Sequence, residues 1–125
     1  MARILIVDDS GFQRKRMCRV LNRAGYDTQE ASDGQKALEA IEECVPDFIV
    51  TDLNMPNMTG MELLAKAQER DVDIPIIVLT SDVQDTTREE CIERGAAEVM
   101  NKPYNEDRLL LAIETYLGPQ EDVAP

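Results

Sequence analysis

The chain of 125 residues contains no histidine. That absence removes Ser-His-Asp and Cys-His catalysis and histidine-ligated zinc together, and leaves carboxylate, hydroxyl and lysine chemistry. Cysteine is also sparse. Cys18, Cys44 and Cys91 are odd in number, far apart and set in helical segments, so free buried thiols are expected rather than a disulfide or metal site. No apolar run approaches the roughly 20 residues of a membrane helix, and Met-Ala-Arg before the first apolar run is too short for a signal peptide. A cytoplasmic location with no membrane partner is the expectation. Basic residues number 13 against 25 acidic ones, and a net charge of −12 argues against direct nucleic-acid binding. There is no Gly-x-x-x-x-Gly-Lys loop, so the chain has no evident means of binding ATP.

The chain is organised around residues 47–60. Phe48, Ile49 and Val50 form a short apolar run of the kind buried on both faces of a sheet, and Asp52 follows where the run stops. Met55-Pro56-Asn57 is turn chemistry, and Thr59 with Glu62 has capping-box spacing that opens a helix toward Arg70. Met61, Leu64 and Ala67 are its expected buried face. Asp52 therefore sits on a strand-to-loop junction and reads as a nucleophile that accepts a phosphoryl group.

Four other apolar or mixed runs behave alike. Arg3 to Val7 ends on Asp8-Asp9. Ser10 and Gln13 then cap a helix with Met17, Val20, Leu21 and Ala24 as its core stripe, Arg14, Lys15, Arg16, Arg19 and Arg23 largely opposite, and Gly25 at its end. Tyr26 to Ala31 suits an edge strand, and Ser32 with Gln35 has capping-box spacing for a helix burying Ala37, Leu38 and Ile41. Ile74 to Leu79 is followed by Thr80-Ser81-Asp82. The helix of about Asp85 to Arg94 has almost no apolar residue beyond Cys91 and Ile92, so weak anchoring and movement on phosphorylation are expected of it. Ala97 to Met100 is a short strand before Asn101-Lys102-Pro103-Tyr104. Asn105 caps a last helix with Leu109, Leu110, Ile113, Tyr116 and Leu117 on one face, stopped by Gly118-Pro119. Residues 119–125 form a polar tail expected to be disordered.

Five strands alternating with five helices indicate an α/β, doubly wound parallel sheet over residues 1–118. Ligands in such sheets bind beyond the carboxyl ends of the strands. Asp8, Asp9, Asp52, Thr80 and Lys102 all fall on that rim. Two unit charges 4 Å apart repel by about 4 kcal/mol at an effective dielectric of 20, so a cation must sit among the carboxylates. With oxygen ligands alone on offer, the matching ion is Mg²⁺, or Mn²⁺ in its place.

Asp8-Asp9, Asp52 with Met55-Pro56 and Gly60, Thr80-Ser81 and Lys102-Pro103, in that order, resemble the receiver domain of two-component response regulators over about residues 2 to 118. The resemblance implies a flavodoxin-like sheet of order 2-1-3-4-5, and phosphotransfer to Asp52 from a sensor histidine kinase or phosphotransfer protein. It implies Mg²⁺ held by Asp9, Asp52 and the Asn54 backbone carbonyl, with Asp8 acting through water. Lys102 would contact the phosphoryl group, Thr80 would move toward it, and the Lys102-Pro103 peptide would be cis. Asn54 and Asp82 would influence the phosphoryl lifetime. A downstream protein would bind the face of the fourth helix, fifth strand and fifth helix. Val99 departs from the pattern, because receivers commonly carry Tyr or Phe there, so a threonine-tyrosine switch of the usual kind is not expected. An aspartate-nucleophile phosphatase is the competing enzyme class, but it wants a second acid where this chain has Asn54.

Overall fold

The computed structural model describes residues 2–55 and 57–118. In chain order the elements are β1 (Arg3–Val7), α1 (Gly11–Arg23), β2 (Asp27–Ala31), α2 (Gly34–Glu43), β3 (Phe48–Asp52), α3 (Gly60–Glu69), β4 (Ile76–Thr80), α4 (Asp85–Glu93), β5 (Glu98–Asn101) and α5 (Glu106–Leu117). All strand pairs are parallel and the order is β2-β1-β3-β4-β5. This is the doubly wound, flavodoxin-like arrangement expected. Pro56 and the 119–125 tail lie outside the described residues.

The apolar runs form strands because successive side chains enter two different cores. Ile4, Ile6, Phe48, Val50, Ile77 and Leu79 meet α1 and α5. Leu5, Val7, Ile49, Ile76, Val78 and Val99 meet α2, α3 and α4. The central strands β3 and β4 are buried along their whole length, whereas the edge strand β2 is mostly polar and partly exposed.

Several helix faces depart from the periodicity. In α1 the buried residues are Met17, Cys18, Val20 and Leu21, while Ala24 is exposed. The helix has already ended there, with Ala24 as C-cap and Gly25 turning at φ 99. The N-cap of α2 is Asp33 rather than Ser32, its carboxylate accepting the Lys36 N–H at 2.8 Å. Met61 is only half-buried. The inner face of α3 is instead Gly60, Leu63, Leu64 and Ala67, which keeps the i, i+3, i+4, i+7 spacing in a different phase. The Thr59–Glu62 capping box is complete. In α4 the one buried residue is Cys91, with Ile92 exposed, so the weak anchoring expected of it is present. In α5 Leu109 and Ile113 are buried, Leu110 and Leu117 half-buried and Tyr116 exposed, its hydroxyl donating to Ala97 O. Cys18 and Cys91 are buried, but Cys44 is exposed at the end of α2, where the Arg3 guanidinium donates to its sulfur.

Gly60 sets the phase of α3 by its closeness to β3. A Cβ there would lie 2.6 Å from Asp52 O and 2.9 Å from Leu53 Cα, and both are backbone that cannot swing aside. Gly60→Ala is expected to lower stability by roughly 1–3 kcal/mol, the usual cost of overpacking. Thermal unfolding followed by circular dichroism checks this, and an unchanged midpoint would show that β3 and α3 can part.

Candidate functional site: an acidic rim with one lysine

The register of the sheet brings distant residues to one place. Val7 is level with Thr51, so Asp8 is delivered beside Asp52, which is itself level with Leu79. Thr80 is level with Asn101, so Lys102 emerges from β5 next to the end of β4. Backbone bonds fix these exits: Asp8 N–H donates to Ala31 O, Leu53 N–H to Leu79 O and Lys102 N–H to Thr80 O. The Lys102-Pro103 peptide is cis, as the resemblance implied.

Carboxylate oxygens of Asp8, Asp9 and Asp52 lie within 4.8 Å of one another. Lys102 Nζ stands 3.0 Å from Asp52 Oδ1 and 3.9 Å from Asp8 Oδ2. One ammonium thus pairs with two members of a cluster of three carboxylates. The remaining charge is negative and the donors are all hard oxygens, the set that suits Mg²⁺ or Mn²⁺.

The two acids after β1 differ. Asp9 is exposed, while Asp8 is 8% exposed and its Oδ1 accepts the Ser10 N–H. Burial pushes the Asp8 carboxyl above its ordinary range, the Ser10 amide and Lys102 pull it back, and Asp52 and Asp9 push it up again.

Thr80 is buried at the end of β4, and its hydroxyl oxygen accepts the Asp82 N–H at 3.0 Å. Accepting leaves the hydroxyl's own proton to donate. Asp82 is engaged as a local cap, accepting from Gln84 N–H and the Thr87 hydroxyl, which draws its carboxyl below the ordinary range. Asn54 is exposed in the loop after β3. Val99 is buried in the same apolar cluster as Cys91 and Ala96, with no aromatic ring at its position. Met55 is buried and Met58 and Met61 pack against that cluster, so the three methionines serve loop packing.

Two supporting residues escaped the sequence reading. Arg14 is not on the solvent face of α1: it pairs with Glu30 at 2.8 Å and donates from Nη1 to Asp8 O at 2.7 Å, tying α1 to the rim. Lys15 joins it on Glu30 and, with Arg14, holds the Glu30 carboxyl below its ordinary range. Asn101 Nδ2 donates to Asp82 O at 3.0 Å and fastens the β4–α4 loop to β5. None of these contacts has a sequence signal, since each joins residues 15 or more apart or reaches backbone.

The response regulator receiver domain, compared as a family, matches residues 4–114. The chain belongs to this family. It is similar to Sensor protein EvgS of Escherichia coli (strain K12), with 38% identity over 121 residues that cover 97% of this chain and 10% of EvgS. It is also similar to Chemotaxis protein CheY of Thermotoga maritima, 33% identical over 112 residues, which cover 89% of this chain and 93% of CheY. Among solved structures, Vibrio cholerae chemotaxis protein CheY4 aligns with a TM-score of 0.87 at 33% identity over 93% of this chain and 98% of the other. The receiver domain of the Francisella response regulator 1452 gives 0.89 at 26% identity, over 93% and 96%. The chain therefore spans about a tenth of one relative and nearly the whole of another. Receivers are phosphoryl-accepting signalling modules that bind Mg²⁺ at an acidic pocket, and the rim of this receiver carries such a cluster of aspartates.

Because the folded-state pKa of Asp8 is raised, its neutral form favours the fold below the carboxyl range of the unfolded chain. That contribution is lost as pH rises through the folded-state pKa. Metal-free Asp8→Asn is therefore expected to be the more stable protein at pH 7. The advantage shrinks as pH falls into the carboxyl range and wild-type Asp8 takes up its proton. Thermal midpoints across pH check the sign.

Proposed function

We propose that Asp52 is the phosphoryl acceptor, served by Asp9, Asp8, Asn54, Thr80 and Lys102. The observation that carries this reading is Lys102 Nζ at 3.0 Å from Asp52 Oδ1 beside two further carboxylates. Asp9, Asp52 and the Asn54 backbone carbonyl would hold Mg²⁺ directly, with Asp8 acting through water. When bound, Mg²⁺ supplies the positive charge that offsets three carboxylates and polarises an incoming phosphoryl group.

The donor is the phosphohistidine of a sensor histidine kinase or phosphotransfer protein, or a small acyl phosphate. An Asp52 oxygen forms the new bond to phosphorus as the donor's P–N or P–O bond breaks; the freed imidazole takes its proton from water, and the acyl group of an acyl phosphate leaves as its carboxylate anion. Lys102 exchanges its contact with the Asp52 carboxylate for one with a phosphoryl oxygen. Thr80 donates its hydroxyl proton to another. Attack of water on the phosphorus breaks the Asp52 O–P bond, releasing inorganic phosphate and regenerating the carboxylate, so the chemistry is self-limiting.

The flank of the rim suits a protein donor. Phe12 and Val83 stand 71% and 77% exposed in the segments that follow β1 and β4, and Arg16 and Arg19 are exposed on α1. Apolar side chains beside uncovered positive charge fit an acidic partner with an apolar centre. The downstream partner binds the α4–β5–α5 face. There a hollow of about 200 Å³, bordered by Arg88, Val99, Tyr104 and Arg108, adjoins the weakly anchored α4.

Intact-mass spectrometry after incubation with acetyl phosphate and Mg²⁺ tests the acceptor. Wild type gains the mass of one phosphoryl group and Asp52→Asn gains none. Equal labelling of both proteins would assign the acceptor to another residue.

A further inference from the structure

The loop between β3 and α3 carries Asn54, whose carbonyl the reading above gives to Mg²⁺, and the loop is gripped at both ends. At its base the Gly60 N–H donates to Leu53 O at 2.8 Å. On its far side Asn57 donates from Nδ2 to Asp33 Oδ2 at 3.3 Å. The other oxygen of Asp33 accepts the Lys36 N–H and caps α2. One carboxylate is thus shared between a helix end and the loop. The next residues in each segment also meet: a Cβ on Gly34 would come within 2.7 Å of the Met58 side chain, so only glycine leaves Met58 its place.

Asn57 holds φ 69, a left-handed conformation that glycine adopts at least as easily. Asparagine differs from glycine here in supplying an amide, and that amide reaches Asp33. A metal ligand that is a backbone carbonyl has no side-chain torsion to adjust, so its position is set wholly by the path of its loop. We infer that Asp33 and Asn57 are positioning residues for the metal: their tether fixes the loop that carries the Asn54 carbonyl and thereby sets Mg²⁺ affinity. The inference rests on the Mg²⁺ reading of the rim. Outer partners of metal ligands commonly govern affinity in this way.

Calorimetric titration of Mg²⁺ into the protein, with no phosphoryl donor present, tests it, alongside thermal midpoints of the metal-free proteins. Asn57→Gly keeps the backbone conformation and removes the amide. Asp33→Ser keeps an oxygen to cap Lys36 and is too short to hold Asn57. Each variant is expected to bind Mg²⁺ roughly 10-fold more weakly, the lower end for an outer-shell change. The double variant should be no weaker than either single one, because both remove the same link. Wild-type affinity in both single variants would overturn the inference, as would additive losses in the double variant or affinity that falls only in step with the thermal midpoint. Should wild type take up no Mg²⁺, or Asp52→Asn take it up equally, the metal reading itself fails and the inference with it.

Discussion

The structure depends on an imbalance of charge held in place by hydrogen-bonded strands. Three carboxylates gather at the carboxyl edge of the sheet and, among the described residues, Lys102 pairs with two of them. Nothing in the local chemistry favours such crowding, since each like pair at about 4 Å costs several kcal/mol unless screened or paired. The strand register enforces it. Asp8 and Asp52 follow residues paired across the β1–β3 ladder, and Lys102 follows the residue paired with Thr80. The stability that holds these charges together comes from the apolar layers below, where β3 and β4 are wholly buried.

That arrangement divides the molecule into a rigid frame and adjustable fittings. The β-strands and the two cores fix where each functional residue leaves the sheet. The loops decide the rest: Gly60 presses α3 against the end of β3, Arg14 ties α1 to the backbone of Asp8, and Asn101 holds the β4–α4 loop. Beyond that loop α4 keeps one buried side chain, Cys91, so the helix that follows β4 in the chain is weakly anchored. The Thr80 hydroxyl oxygen accepts the Asp82 N–H, so any movement of the Thr80 side chain would pull on the β4–α4 loop through that bond.

Much of this was legible in the chain. Apolar runs ending on Asp8, Asp52 and Thr80 were readable because a strand buried on both faces leaves an unbroken run, and the first polar residue marks the rim. The order of the strands came through family resemblance, as alternation alone fixes a parallel sheet but not its sequence of neighbours. Helix faces were read less well. The α3 stripe is set by the close approach of Gly60 to the end of β3, a backbone contact that periodicity cannot register. The cap of α2 is Asp33, one residue beyond the expected Ser32, and its carboxylate serves Asn57 as well as Lys36. Arg14 looked like surface charge until the fold put Glu30 beside it. Local pattern thus revealed which residues reach the rim, while the contacts that tune it join segments far apart.

The central claim is that this rim is a hollow for one divalent cation and one tetrahedral oxyanion against Asp52. Fluorine NMR with beryllofluoride, a phosphoryl mimic, tests it most directly. The account predicts bound fluorine resonances in wild type with Mg²⁺ that vanish on chelation and are missing in Asp52→Asn. Bound resonances that persist without the metal, or that survive in Asp52→Asn, would contradict it.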